Sequence, residues 1–273
     1  LAAEFDGTPS LEFIDTFMYG FWGEGHTWPF ANNPFPDYQT AERTWINMLD
    51  VQLESFKKTP LLTNTQPDYS RVGNSELVER TIRSHNWIRS DTIFIENEQI
   101  EALSNRPPWI GAVLEQPLPG KPPDPAAAQE GISAAENMIA HVIDVGPNYS
   151  TLWNFHQINP KTLTAYYQAS PTWFDRINRR IGYNVRPSFI WSYEDAGYQG
   201  LIVGFANDGI AGVPGVLRVT VESEDGKTLK TGCLDPGFPL PGKIRQAQFI
   251  LPQGTPWKGL KLKAEIEVKG MRY

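Results

Sequence analysis

Two glutamates invite chemistry first. Glu24 lies in FIDTFMYGFWGEGHTWPF (13–30), framed by Gly23 and Gly25, with Trp22, His26 and Trp28 close by. Glu115 ends the apolar run of WIGAVLEQ (109–116) and follows Glu24 by 91 residues. Strand–helix units of a parallel barrel take roughly 30 residues each, so three units bring both acids to one rim. Two facing carboxylates there can cleave a glycosidic bond. One protonates the leaving oxygen and the other attacks the anomeric carbon, at roughly 5 Å separation in a retaining mechanism. The glycines would let the backbone turn sharply and project Glu24 over a cleft. Trp22 or Trp28 would shield it and keep it protonated, while Arg89 would keep Glu115 ionised. Asp15, nearer the end of its own strand, is the rival acid. His26, His156, Trp22, Trp28, Trp153, Arg89 and Asp91 are the candidates for lining a sugar site. His141 sits mid-helix, where packing accounts for it, and Glu96, Glu98 and Glu101 read as a solvated helix face.

The elements that must position these residues alternate strand and helix up to about residue 182. The patterns predict strands at 11–18, 61–65, 86–90, 109–116 and 151–155. Between them they predict helices at 38–57, 74–85, 132–145 and 161–181, with a loop or short helix at 97–104. Such alternation argues for βα units and a parallel sheet. The start, LAAEFDGTPS, reads as the last turn of a helix, a turn at Asp6-Gly7 and then a strand. Five units are too few to close a barrel. The expectation is therefore strands 4 to 8 of a (β/α)8 TIM-type barrel over 1–183. Its open side would be filled by an N-terminal segment or a separate chain.

After Tyr183 the pattern changes. LKLKAEIEVKG (260–270) alternates apolar and charged residues, VLRVTVES (216–223) does the same, and LIVGFAN and QAQFIL add two more strands. Gly and Pro clusters separate them. This predicts an antiparallel β-sandwich over 184–273, with the apolar set of 260–268 inward and the charges of 261–269 outward.

Composition excludes several classes. The chain has 273 residues, a net charge of −7 and no dense basic run, which argues against nucleic acid or an anionic membrane surface as partner. No apolar run reaches membrane-spanning length. One cysteine, Cys233, permits no internal disulfide. No metal-binding, phosphate-binding, dinucleotide-binding or serine-elbow motif is present, so no cofactor is expected. Asn148-Tyr149-Ser150 matches a glycosylation acceptor and tilts toward a secreted location.

FIDTFMYGFWGEGHT resembles the strand-4 signature of β-galactosidase-like barrel proteins in clan A of the glycoside hydrolases, roughly D-x-x-x-x-G-x-W-G-E-x-H. NWIRSD (86–91) resembles the strand-6 end of the same group. The resemblance covers nearly the whole chain. It implies a carbohydrate substrate, an acid/base after strand 4 and a nucleophile ending strand 7, the places of Glu24 and Glu115. It also implies that Arg89 and Asp91 point into the cleft. One departure stands out: Gly23 occupies the position where the clan carries an Asn that binds a sugar 2-hydroxyl. That departure keeps open a non-catalytic carbohydrate-binding barrel, and a structural or adhesive subunit is the third reading.

Overall fold

The computed structural model describes residues 1–20, 25, 35–65, 73–90, 97–115, 134–151 and 160–273. In chain order the first part runs α1 (Ala2–Phe5), β1 (Ile14–Asp15), α2 (Tyr38–Ser55), β2 (Leu61–Asn64), α3 (Gly73–Arg83), β3 (Trp87–Ser90) and α4 (Asn97–Ser104). It continues through β4 (Ala112–Glu115), α5 (Ala134–Val145), β5 (Tyr149–Thr151), α6 (Pro160–Ala169) and α7 (Pro171–Arg180). The five strands form one parallel sheet in sequence order, β1 to β5.

The two-residue period gives this sheet two distinct faces. Ile88, Ala112 and Leu114 point to the helical side and are buried with Leu103, Ile139, Val142, Phe174 and Ile177. The opposite face carries Phe13, Leu62, Trp87 and Val113 at the strand starts. That face is concave. In a flat five-stranded sheet the outer strands would stand roughly 19 Å apart. Here the rings of Phe13, beside β1, and Tyr149, on β5, are 5.3 Å between centroids. The Tyr149 hydroxyl lies 2.7 Å from both carboxylate oxygens of Glu12. The sheet is thus curled into a half-barrel whose first and last strands touch through inward side chains.

Local chemistry explains the boundaries. Asp37 caps α2, its carboxylate accepting the Thr40 N–H at 2.7 Å. Asp6 accepts the N–H groups of Lys57, Lys58 and Thr59 at 2.8–2.9 Å and so shapes the turn between α2 and β2. The helix expected over 161–181 is two helices, because Pro171 cannot continue α6 and instead starts α7 at its first position. The strand expected over 11–18 pairs only at Ile14–Asp15. The strand expected at 151–155 pairs at Tyr149–Thr151, and 152–155 fall outside the described residues. Asn148 is buried, with its side-chain oxygen accepting the Ala112 N–H at 3.0 Å. The glycosylation tripeptide is therefore part of the sheet's own hydrogen bonding.

Arg106, after α4, is half-buried without a carboxylate partner among the described residues. It donates to the carbonyls of Leu103, Ile110, Val145 and Gly146 at 2.5–3.1 Å. The cation so closes the C-terminal ends of α4 and α5, where the helix dipole is negative. Burial pushes its guanidinium down to about 10.

The second part is antiparallel: β6 (Val185–Asp195), β7 (Tyr198–Asn207), β8 (Val216–Glu222), β9 (Thr228–Cys233), β10 (Ile244–Leu251), β11 (Lys261–Val268) and β12 (Met271–Arg272). One sheet runs β10-β7-β6 and the other β12-β11-β8-β9. Leu201, Val203 and Phe205 of β7 and Ala247, Phe249 and Leu251 of β10 meet Leu217, Val219 and Val221 of β8 between the layers. The alternation expected on β11 holds in part. Lys261 and Lys263 are exposed and Val268 is buried, but Ala264 is exposed and Glu265 and Glu267 are half-buried. Glu267 receives Arg218 at 2.8 Å.

The two parts are packed together. Val268 joins Leu62 and Trp87 on the concave face, with Ile266 against the same cluster. Lys269, expected to face solvent, instead has φ +47° and donates to the Phe56 carbonyl at 3.1 Å and the Asn86 side chain at 2.9 Å. At the strand starts, the concave side is thus met by this chain's own last strands.

Candidate active site

The charged residues of the concave face gather at the opposite end, where the strands finish. In β3 the two-residue period puts Trp87 and Arg89 on that face, and in β4 it puts Val113 and Glu115 there. Register aligns Arg89 with Val113 and with Asn64 of β2, and Glu115 with Thr151 of β5. Asp15 ends β1 one strand beyond Asn64. Strands β2, β3 and β4 therefore start apolar, in the cluster with Val268 and Ile266, and end polar. In parallel α/β sheets the carboxyl ends of the strands are where ligands bind.

Arg89 links the acids. Its Nη1 is 3.3 Å from Asp15 Oδ2 and 3.8 Å from Glu115 Oε2. The side chains of Arg89 and Glu115 are 12% and 16% exposed, against 52% for Asp15. Thr65 fixes the Arg89 backbone, since both its N–H (2.9 Å) and its hydroxyl (3.0 Å) donate to the Arg89 carbonyl. The guanidinium favours the ionised form of the largely buried Glu115, against the desolvation that would keep it protonated. Asn64, Thr65 and Ser90 are buried beside this group. They were passed over in the sequence, although LLTNT turns polar just where a rim would begin.

Of the residues singled out from sequence, Arg89, Glu115 and Asp15 are thus brought together. Trp22, Glu24, His26, Trp28, Asp91, Trp153 and His156 lie outside the described residues, as do Gly23 and Glu96. Gly25, next to Glu24 in the chain, has φ +87°, and its N–H donates to the Tyr19 carbonyl at 3.1 Å. A Cβ there would come within 2.4 Å of the Trp45 ring. Glycine is required at this turn for both reasons. Trp45 in turn stacks on Tyr19 with 5.5 Å between centroids, and the Tyr19 hydroxyl donates to the Ala41 carbonyl. His141 lies half-buried on α5. Among the described residues no group of three or more His, Cys, Asp or Glu side chains could hold a metal, and no helix is long and apolar enough to cross a membrane.

No protein-family model matches the chain, and no curated protein matches it. Among solved structures it is similar to DesR, a β-glucosidase from Streptomyces venezuelae in complex with D-glucose, at 10% identity and a TM-score of 0.23. It is also similar to β-glucosidase 3B from Thermotoga neapolitana in complex with glucose, at 9% identity and a TM-score of 0.22. The alignments cover 72% and 78% of this chain but only 34% and 39% of those proteins. Likenesses this distant define neither the fold nor the activity of the chain.

Proposed function

We propose that the chain carries the catalytic rim of a retaining glycoside hydrolase, with strands β1–β5 as strands 4 to 8 of a (β/α)8 barrel over 1–183 and the β-sandwich of 184–273 attached. The observation that carries this reading is the Asp15–Arg89–Glu115 group at the carboxyl ends of parallel strands, with Glu115 and Arg89 largely withdrawn from water. The FIDTFMYGFWGEGHT signature supports it. An N-terminal segment or a separate chain supplies the other strands, and the substrate is an oligo- or polysaccharide.

In this mechanism a glycosidic bond lies over the rim. Glu115, ionised beside Arg89, attacks the anomeric carbon as the aglycone departs. Glu24 gives its proton to the leaving oxygen, so the first products are a glycosyl ester of Glu115 and a free alcohol. Glu24, now a carboxylate, takes a proton from water, and the water oxygen displaces Glu115. Trp22, Trp28 and Trp153 stack on sugar rings, and His26, His156 and Asp91 take hydroxyls.

The test uses leaving groups. Glu115→Gln abolishes turnover but keeps sugar binding. Glu24→Gln slows substrates with poor leaving groups far more than activated aryl glycosides, which need little protonation. Equal slowing of both kinds removes Glu24 from the acid role. Asp15 is the second reading for that role, because it ends β1 at the same strand ends that carry Glu115. Asp15→Asn would then show the leaving-group dependence instead.

A further inference from the structure

The outward face of the β10-β7-β6 sheet is a second surface suited to rings. On β6, Phe189, Trp191 and Tyr193 pair with Gly204, Ile202 and Gly200 of β7, so all six share the outward face. Trp191 is 63% exposed and Phe189 40%. Beneath the aromatics both glycines are buried. A Cβ at Gly200 would come within 2.0 Å of Tyr193, and one at Gly204 within 2.3 Å of the Phe189 ring. The absence of those two side chains lets the rings lie down on the β7 backbone. The third strand adds amides: Gln246 and Gln248 are exposed on the same face, and Gln248 Nε2 donates to the Tyr193 hydroxyl at 2.5 Å.

Charge and size narrow the occupant. From Phe189 to Tyr193 and across to Gln246–Ile250, no outward position is charged, in a chain of net charge −7. Polyanions are disfavoured and an uncharged ligand is suited. The aromatic and amide patch, three strands by five residues, spans about 240 Å², the size of a few sugar rings. Aromatic faces meet the apolar C–H faces of a pyranose, and amides satisfy its hydroxyls.

We propose that this face binds an uncharged saccharide chain, with pyranose rings stacked on Trp191 and its neighbours and hydroxyls taken by Gln246 and Gln248. The site goes beyond the cleavage reaction proposed above and stands whether or not the rim is catalytic.

Affinity electrophoresis of the whole chain tests it, in gels containing hydroxyethyl cellulose, galactomannan, laminarin or arabinoxylan, with polygalacturonate as the anionic control. The chain is expected to be retarded in at least one neutral gel and not by polygalacturonate. Trp191→Ala is expected to weaken that retardation about tenfold, the size of one lost stacking contact. Trp191→Tyr, which keeps a ring, is expected to retain most of it, separating stacking from misfolding. No retardation in any neutral gel would overturn the proposal, as would equal retardation by polygalacturonate or full retention in Trp191→Ala. Concentration-dependent self-association in sedimentation, lost in Trp191→Ala with no glycan retention, would also overturn it and make the face a contact between copies.

Discussion

Arg89 and Glu115 face each other across neighbouring parallel strands, Nη1 to Oε2 3.8 Å, with both side chains mostly withdrawn from water. The cation stabilises the carboxylate that the proposed mechanism needs as nucleophile. Arg89→Met is expected to lower kcat/KM about a hundredfold, as a displaced catalytic group does. It also moves the acid limb of the pH–rate profile to higher pH, because Glu115 without its cation holds its proton longer. A fall in activity with an unmoved acid limb would leave Arg89 a role in folding or binding only.

Gly25 turns the chain beside Glu24 with φ +87° against the Trp45 ring. Gly25→Ala meets both the unfavourable φ and the ring, and is expected to cost roughly 1–3 kcal/mol in urea unfolding. Trp45→Leu in the same chain removes the clash but not the dihedral cost. The double variant should therefore recover part of the stability that additivity would deny it.

Arg106 satisfies four backbone carbonyls, three of them at two helix ends, from a half-buried position. Arg106→Met leaves those carbonyls without a donor and is expected to cost about 3 kcal/mol or more. Arg106→Lys, with a single ammonium in place of the planar fork, is expected to restore less than half of that. Chemical denaturation at fixed pH reads both.

Lys269 couples the β-sandwich to the end of α2 through the Phe56 carbonyl and to Asn86. Burial pushes its ammonium down to about 8 from an ordinary 10.5, Asp6 only partly opposing and Lys57 adding to the shift. Below about pH 8 both folded and unfolded chains carry the charge, and the burial penalty is fully present. Between about 8 and 10.5 the unfolded chain binds more protons, so the folded state gains stability as pH rises. A neutral amine still has two protons for the two acceptors. Wild type is therefore expected to gain stability relative to Lys269→Met over that window, measured by urea midpoints. A constant difference across it would contradict the pKa direction.

Much of the helical layer was legible from spacing, because α3 and α5 each bury one stripe against the sheet and α2 buries Trp45 and Leu49 against Tyr19 and against Leu77 of α3. Glu115 and Arg89 fall on one face by the two-residue period alone. Their contact was not legible, since it depends on the register between β3 and β4. Strand β6 was missed because Pro187 interrupts it and its aromatics are exposed rather than alternating with polar residues. The break between α6 and α7 was signalled by Ser170-Pro171 and outweighed by the apolar spacing around it. Lys269 reads as an outward cation of the last strands. Its partners, the Phe56 carbonyl and the Asn86 side chain, are far away in sequence, which no local pattern encodes.

The central claim is that Glu115 forms a bond to the sugar. The most direct measurement is to incubate the protein with a panel of 2-deoxy-2-fluoro-glycosyl fluorides, whose electron-poor ring slows release of a glycosyl-enzyme, and to map the added mass by peptide mass spectrometry. The account predicts one added glycosyl group on the peptide carrying Glu115, absent in Glu115→Gln. A label on the peptide of Glu24 or Asp15 would contradict it. So would turnover of glycosides with inversion at the anomeric carbon and no label on any peptide.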